Sequence, residues 1–106
     1  PRALWEAAKA KGRFDGAPVD EADGYIHFST GQQARETAAR HFARQDDLLL
    51  IAVDPARLGD ALRFEPSRGG ALFPHLYGPL PLEAVLWVED LPLGVDGNHQ
   101  FPGSVR

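Results

Sequence analysis

Hydrophobic and polar residues alternate from Tyr25 to Ser29, and this alternation predicts a β-strand. Ile26 and Phe28 fall on one face of that strand, which we expect to meet the core. Tyr25, His27 and Ser29 fall on the other face, where their polar groups are costly to bury without partners. We therefore predict that this second face forms the wall of a ligand cleft. The alternative is a half-exposed polar face with no function.

Two helices are predicted in the first half of the chain. Apolar residues at helical spacing, such as Trp5 and Ala8, predict a helix over residues 1–11. Thr30 and Gln33 have the spacing of a capping box, so we expect a second helix to begin at Thr30. A strand that leads into a helix leaves free backbone amides at the junction, and these favour an anion such as phosphate.

The second half of the chain is predicted to contain several strands, with one long loop between them. The unbroken apolar run at residues 48–53 is typical of a central strand covered on both faces, and a short helix is predicted over residues 55–62. Further strands are predicted over residues 62–65 and 83–91. Residues 66–81, rich in glycine and proline, are predicted to be an irregular loop folded against the body. Strands and helices that mix without regular alternation indicate an α+β fold.

Composition narrows the class of protein. A length of 106 residues with 43% hydrophobic residues favours one domain spanning residues 1–106. The net charge of −4 argues against double-stranded nucleic acid or an acidic membrane as a partner. The absence of cysteine excludes disulfides and thiolate chemistry, and together with the absence of an apolar run of membrane-spanning length it leads us to expect a cytoplasmic protein.

A second group of candidate residues lies later in the chain. His75 and Tyr77 belong to a proline-containing aromatic segment that is suited either to lining a ligand pocket or to packing as a loop. Glu65 and Arg68 precede it and form either a surface ion pair or a carboxylate and a guanidinium directed at a ligand. The four histidines of the chain lack metal-ligand spacing, so no metal site is expected.

Two motifs together resemble the DUF952 family of small bacterial proteins. The first runs over residues 24–38 and includes His27-Phe28-Ser29, which is similar to the His-Leu-Ser element of RNA 2′-phosphotransferases. The second combines Glu65 with residues 73–78, and the resemblance as a whole spans roughly residues 4–101. It implies an ADP-ribosyltransferase-like fold, a small mixed two-sheet domain around an NAD cleft with helices near the N-terminus.

The resemblance also implies roles for individual residues. His27 would lie beside nicotinamide or ribose and position the ligand, and Ser29 with Thr30 would meet phosphate. A glutamate, either Glu65 or Glu83, would hold ribose, because a transferase needs a carboxylate to stabilise an oxocarbenium-like centre. The first strand of such a fold, with its own His or Arg, is expected to precede the first residue of this sequence.

The leading hypothesis is therefore a domain that binds NAD or another nucleotide-like or phosphate-bearing ligand, with ADP-ribosyl- or phosphotransferase-type chemistry. The predicted catalytic residues are His27, Glu65 and Glu83. The predicted ligand-binding residues are Tyr25, Ser29, Thr30, Arg68, His75 and Tyr77. The rival hypothesis is a non-catalytic ligand-sensing or protein-interaction module, and a further alternative is a small hydrolase that uses two histidines as acid and base.

Overall fold

The computed structural model describes residues 1–103 and Val105, with the backbone but not the side chain of Arg68. Its elements follow one another as α1 (Arg2–Lys11), β1 (Arg13–Phe14), α2 (Pro18–Asp23), β2 (Ile26–His27), α3 (Ala34–His41), β3 (Leu48–Val53), β4 (Leu62–Pro66), β5 (Leu72–Leu76), β6 (Leu80–Pro81) and β7 (Val85–Leu91). All three helices precede the long strands, so the fold is α+β with its helices near the N-terminus, as predicted.

The strands form three small antiparallel sheets. One sheet has the order β2–β5–β4, and two further sheets are the pairs β1–β6 and β3–β7. This arrangement corrects the expectation of two sheets. The additional sheet arises because β1 and β6 pair with each other over only two residues and join neither of the larger sheets.

The core lies on one face of the three-stranded sheet. Ile26 of β2 and Leu76 of β5 are direct cross-strand partners and are both buried. Leu80 and Ala84 pack with them, and Phe28 contacts this cluster from the same side as Ile26. The predicted apolar face of the strand is therefore the core face, and the opposite face is free for other contacts.

The start of α3, which corresponds to the second helix predicted from the sequence, follows the predicted capping box. The Thr30 N–H donates to Gln33 Oε1 at 3.0 Å, and the Gln33 N–H donates to Thr30 Oγ1 at 3.3 Å. The chain turns between the two residues, so the regular helix begins at Ala34, later than predicted. The reciprocal pair satisfies two backbone donors that a helix start otherwise leaves open.

The prediction of an irregular loop over residues 66–81 is wrong. This segment contains β5, the middle strand of the three-stranded sheet, and also β6. Pro74 lies opposite Phe28, the residue that follows β2, and its carbonyl oxygen accepts from the Phe28 N–H at 3.0 Å. The nitrogen of a strand residue points to the same side as its carbonyl, so Pro74 is tolerated because its missing donor faces the residue after β2 and not a residue within that strand.

Two further predictions need correction. The apolar run of β3 is a strand, but within the described residues it pairs only with β7, and of its six residues only Leu48 is buried. It is therefore not a central strand covered on both faces. The expected helix over residues 55–62 is instead two short 3-10 turns, Pro55–Arg57 and Gly59–Ala61, which give way to β4.

Candidate functional site

Strand register brings the predicted site residues together on the face opposite the core. His27 of β2 lies directly across from His75 of β5, and His75 in turn lies across from Arg63 of β4. Because side chains alternate along a strand, Glu65 and Tyr77 fall on this same face. Three strands that are distant in sequence thus supply one surface.

Four rings form a compact group on this surface, which we call the Tyr–His cluster: Tyr25, His27, His75 and Tyr77. Tyr25 stacks on His75 with ring centroids 4.1 Å apart and planes inclined by 22°. The Tyr25 ring also lies 4.7 Å from His27 and 5.2 Å from Tyr77, and the two imidazoles are 5.7 Å apart. The two histidines selected from separate motifs therefore share one site.

Glu65 joins two members of the cluster. Its Oε1 accepts hydrogen bonds from the Tyr77 hydroxyl at 2.7 Å and from His75 Nδ1 at 2.8 Å. The Tyr77 hydroxyl, and then the His75 ring, stabilise the carboxylate and lower the pKa of Glu65 below its usual value. The same carboxylate raises the pKa of Tyr77, which keeps the phenol protonated. Glu65 is therefore an ionised acceptor at neutral pH.

His27 is held by two carboxylates of α2. Its Nδ1 lies 2.5 Å from Asp20 Oδ1, and its Nε2 lies 2.9 Å from Asp23 Oδ2. Asp20 is buried and also accepts from the His27 N–H at 3.1 Å and from the Ala17 N–H at 2.7 Å. Both ring nitrogens of His27 thus face carboxylates of α2, and Asp20 is the one that hydrogen-bonds to the ring.

Sequence reasoning missed Asp20 and α2, although a signal for them exists. Pro18 stands at the first helical position and Asp20 in the first turn, both of which favour a helix start. Gly24 then ends the helix in the left-handed conformation with φ +88°. These three positions define α2, and the helix delivers the Asp20 carboxylate to β2.

Ser29 and Thr30 make contacts outside the Tyr–His cluster. Ser29 Oγ hydrogen-bonds to Thr37 Oγ1 of α3 at 2.8 Å, and Thr30 serves the capping box with Gln33. Gln33 in turn donates to the Leu72 carbonyl at 2.7 Å, which ties the helix start to β5. The predicted phosphate contacts at this junction are thus occupied by the chain's own groups.

Glu83, the other predicted glutamate, does not join the cluster. Glu83 is exposed in the 3-10 turn Leu82–Ala84 before β7, and within the described residues it forms no hydrogen bond or ion pair with the cluster. The side chain of Arg68 lies outside what the structure describes. Of the two rival glutamates, the structure therefore brings Glu65 to His75 and Tyr77.

A cavity of about 260 Å³ adjoins the cluster. Tyr25 and Asp20 line it on the cluster side, and Ile26, Leu76 and Pro79 contribute apolar surface. A larger hollow of about 450 Å³ lies between α1 and the β3–β7 pair and contains none of the predicted site residues. Of these two cavities, the smaller is the one lined by a member of the Tyr–His cluster, and that member is Tyr25.

Metal binding and membrane insertion find no support in residues 1–103 and Val105. No group of three or more His, Cys, Asp or Glu side chains there is arranged to hold a metal ion. Nor is any helix within that range long and apolar enough to cross a membrane.

Comparison with known proteins places the sequence in a family. The family model described as "Protein of unknown function (DUF952)" matches residues 1–88, which is most of the chain. The chain belongs to the DUF952 family. No curated protein matches it.

Solved structures of one similar protein agree with the fold. The crystal structure of protein CC0527 from Caulobacter crescentus is 56% identical, with a TM-score of 0.89, and the match covers 93% of this chain and 87% of that one. A crystal structure of a double mutant of CC0527 is 54% identical, with the same TM-score and coverage. Its solution NMR structure is 56% identical and gives a TM-score of 0.83 over 93% and 85% of the two chains.

Proposed function

We propose that this DUF952 chain binds the nicotinamide–ribose part of NAD, or of a related nucleotide, at the Tyr–His cluster. The observation that carries the proposal is the stack of Tyr25 on His75 beside the ionised Glu65. A flat aromatic surface suits a planar heterocycle. The Glu65 carboxylate, which is hydrogen-bonded to His75, suits the hydroxyl groups of a sugar.

The proposal includes an ADP-ribosyltransferase-like fold and the corresponding chemistry. In that reaction the bond between ribose C1′ and nicotinamide breaks, and nicotinamide leaves with the bonding electrons. An acceptor nucleophile then donates an electron pair to C1′ and loses a proton. Glu65 would stabilise the developing positive charge, because a fixed carboxylate acts most strongly where charge appears. The position of His27 on β2 and of Glu65 on β4, the two strands that flank β5, and the resemblance of the motifs support this part.

A non-catalytic ligand-binding module is the second candidate, and one observation favours it. Glu65 Oε1 already accepts two hydrogen bonds from within the protein, and no serine or threonine hydroxyl of the described residues bonds to the cluster. The described residues therefore supply a binding surface without a serine or threonine nucleophile hydrogen-bonded to it. On either candidate, we expect a cytoplasmic protein. The net charge of −4 argues against double-stranded nucleic acid or an acidic membrane as its partner.

Calorimetric titration of the chain with NAD, ADP-ribose, nicotinamide riboside and inorganic phosphate tests the proposal. We expect NAD to bind, and we expect Glu65→Gln to weaken NAD binding about tenfold, which corresponds to about 1.4 kcal/mol. Asp60→Asn, which neutralises an exposed carboxylate in a 3-10 turn, is the matched control and should leave the affinity unchanged.

Three outcomes would change the assignment. Absence of binding by every nucleotide and nucleoside would overturn the proposal. A loss of affinity in Glu83→Gln but not in Glu65→Gln would transfer the carboxylate role to Glu83. Binding of NAD without release of nicotinamide, when a range of acceptors is supplied, would leave the non-catalytic module as the function.

A further inference from the structure

His75 is a buried histidine with one ring nitrogen unpaired. Only 5% of its side chain is exposed, and its Nδ1 lies 2.8 Å from Glu65 Oε1. No hydrogen bond from residues 1–103 or Val105 reaches its Nε2. Buried polar atoms are nearly always satisfied in folded proteins, so an unpaired one calls for an explanation.

The partner of Nδ1 determines what Nε2 can do. Glu65 is ionised and can only accept hydrogen bonds, so the proton of a neutral His75 ring must lie on Nδ1. The second nitrogen then carries a lone pair and acts as an acceptor. An acceptor in this position is satisfied by a hydrogen-bond donor, which a ligand hydroxyl or amide supplies.

Other open atoms beside His75 have the same preference. The second oxygen of Glu65, Oε2, is an acceptor and has no partner in the described part of the protein. The Tyr25 hydroxyl, which can both donate and accept, makes no hydrogen bond there either. A phosphate group offers oxygen acceptors and negative charge. It is therefore a poor match for two acceptor atoms, His75 Nε2 and Oε2 of the Glu65 carboxylate.

The charged groups around the cluster strengthen this preference. Three carboxylates, those of Asp20, Asp23 and Glu65, contact its two histidines. Arg63 supplies a positive charge beside them, and its guanidinium lies 5.2 Å from the Tyr77 ring centroid. An added phosphate would therefore meet more negative than positive charge.

We infer that His75 Nε2 is a ligand-contact atom that accepts a hydrogen bond from a hydroxyl or amide group of a ligand and does not contact a phosphate. If the ligand is a nucleotide, as the proposed function holds, the cluster contacts its nucleoside end and not its phosphates. The near-complete burial of the ring fits this inference, because a single hydroxyl or amide reaches a ring edge more easily than a tetrahedral phosphate does.

Nitrogen-15 NMR of the histidine rings tests the inference on the full chain. In the free protein we expect His75 to be the neutral tautomer with its proton on Nδ1. On addition of nicotinamide riboside we expect the Nε2 resonance to shift, and on addition of inorganic phosphate we expect it to remain in place. A proton on Nε2 in the free protein, or an Nε2 shift with phosphate alone, would overturn the inference.

A variant separates the two nitrogens of the ring. His75→Asn keeps a donor near Glu65 but removes the Nε2 acceptor, and we expect it to weaken nicotinamide riboside binding at least tenfold. His41→Asn, at the exposed end of α3, is the control and should bind normally. Unfolding curves show whether each variant folds, and unchanged binding by a folded His75→Asn would contradict the inference.

This inference and the proposed function fail in different ways. If nicotinamide riboside binds while Nε2 carries the proton or keeps its resonance, the nucleotide function stands and the role of His75 falls. If neither NAD nor nicotinamide riboside binds, both the ligand class and the proposed function are overturned.

Discussion

His27 and His75 are cross-strand neighbours with opposite surroundings. Both ring nitrogens of His27 face carboxylates, and 36% of its side chain is exposed. His75 has a carboxylate at only one nitrogen and is almost fully buried. Two identical side chains on adjacent strands thus differ in their partners: one has a carboxylate at each ring nitrogen, and the other has a carboxylate at one nitrogen and none at the second.

The difference teaches that the number of carboxylates beside the ring nitrogens distinguishes a structural histidine from one that can contact a ligand. A second carboxylate uses the last ring nitrogen, and the histidine then anchors one element to another, as His27 anchors β2 to α2. With one carboxylate, the tautomer is fixed and one nitrogen stays available, as at His75. The sequence motif drew attention to His27, but the geometry gives the open nitrogen to His75.

The largest expected effect comes from removing the anchor of His27. Asp20→Ala deletes an acceptor of three hydrogen bonds from a buried position, and we expect it to lower the free energy of unfolding by about 3 kcal/mol. Asp23→Ala removes the exposed partner of the same ring and should cost less than about 1 kcal/mol. Urea unfolding of the two variants measures both values. Equal costs would mean that His27 is not anchored chiefly through Asp20.

A smaller effect is expected at the partner of His75 and is best seen as a function of pH. Because the pKa of Glu65 lies below its usual 4.5, the ionised carboxylate stabilises the fold above about pH 4.5. This contribution is lost as the pH falls through the folded-state pKa. Tyr77→Phe removes the stronger of the two hydrogen bonds to Glu65, so we expect the pKa of Glu65 to rise toward its usual value and acid unfolding to begin at a higher pH.

Carbon-13 NMR of the Glu65 carboxyl group, recorded across the acid range, measures this shift directly. Tyr25→Phe is the matched control, since its hydroxyl bonds to neither Glu65 nor His75, and it should leave the titration of Glu65 unchanged. If the pKa of Glu65 does not move in Tyr77→Phe, the carboxylate is held by His75 alone, and the contrast between the two histidines becomes stronger.

The smallest expected effect concerns the Arg63 guanidinium, which lies over the Tyr77 ring. Arg63 stacks over the exposed face of Tyr77, and Arg63→Gln should lower the free energy of unfolding by about 0.5 kcal/mol through loss of this cation–π contact. Chemical unfolding of the variant measures the loss. A cost as large as that of Asp20→Ala would show that Arg63 organises the cluster more than the carboxylates do.

Local patterns predicted one side of the site well. Alternation placed Ile26 and Phe28 toward the core and Tyr25 with His27 on the opposite face, and the capping box at Thr30 is present. These features depend on contacts between residues close in the sequence, so the chain itself carries the information. The identification of Glu65 beside His75 also agrees with the family motif.

The parts of the site that β5 and α2 contribute depended on contacts between separate elements of the fold. β5 exists because residues 72–76 pair with β2 and with β4 at once, and no local rule favours a strand through Pro74. Asp20 precedes His27 by seven residues, and its role depends on α2, which brings the Asp20 carboxylate to the His27 ring. Sequence patterns therefore found the histidines, but not the pairing that gives them different roles.

Pro74 has a consequence for strand alignment. If β2 slid along β5 toward Leu72, one of its carbonyl groups would face the proline nitrogen, which has no hydrogen to donate. A slide by a single residue would also turn Ile26 away from the core. Pro74 thus acts as a register stop, and by fixing the alignment of the two strands it keeps His27 opposite His75.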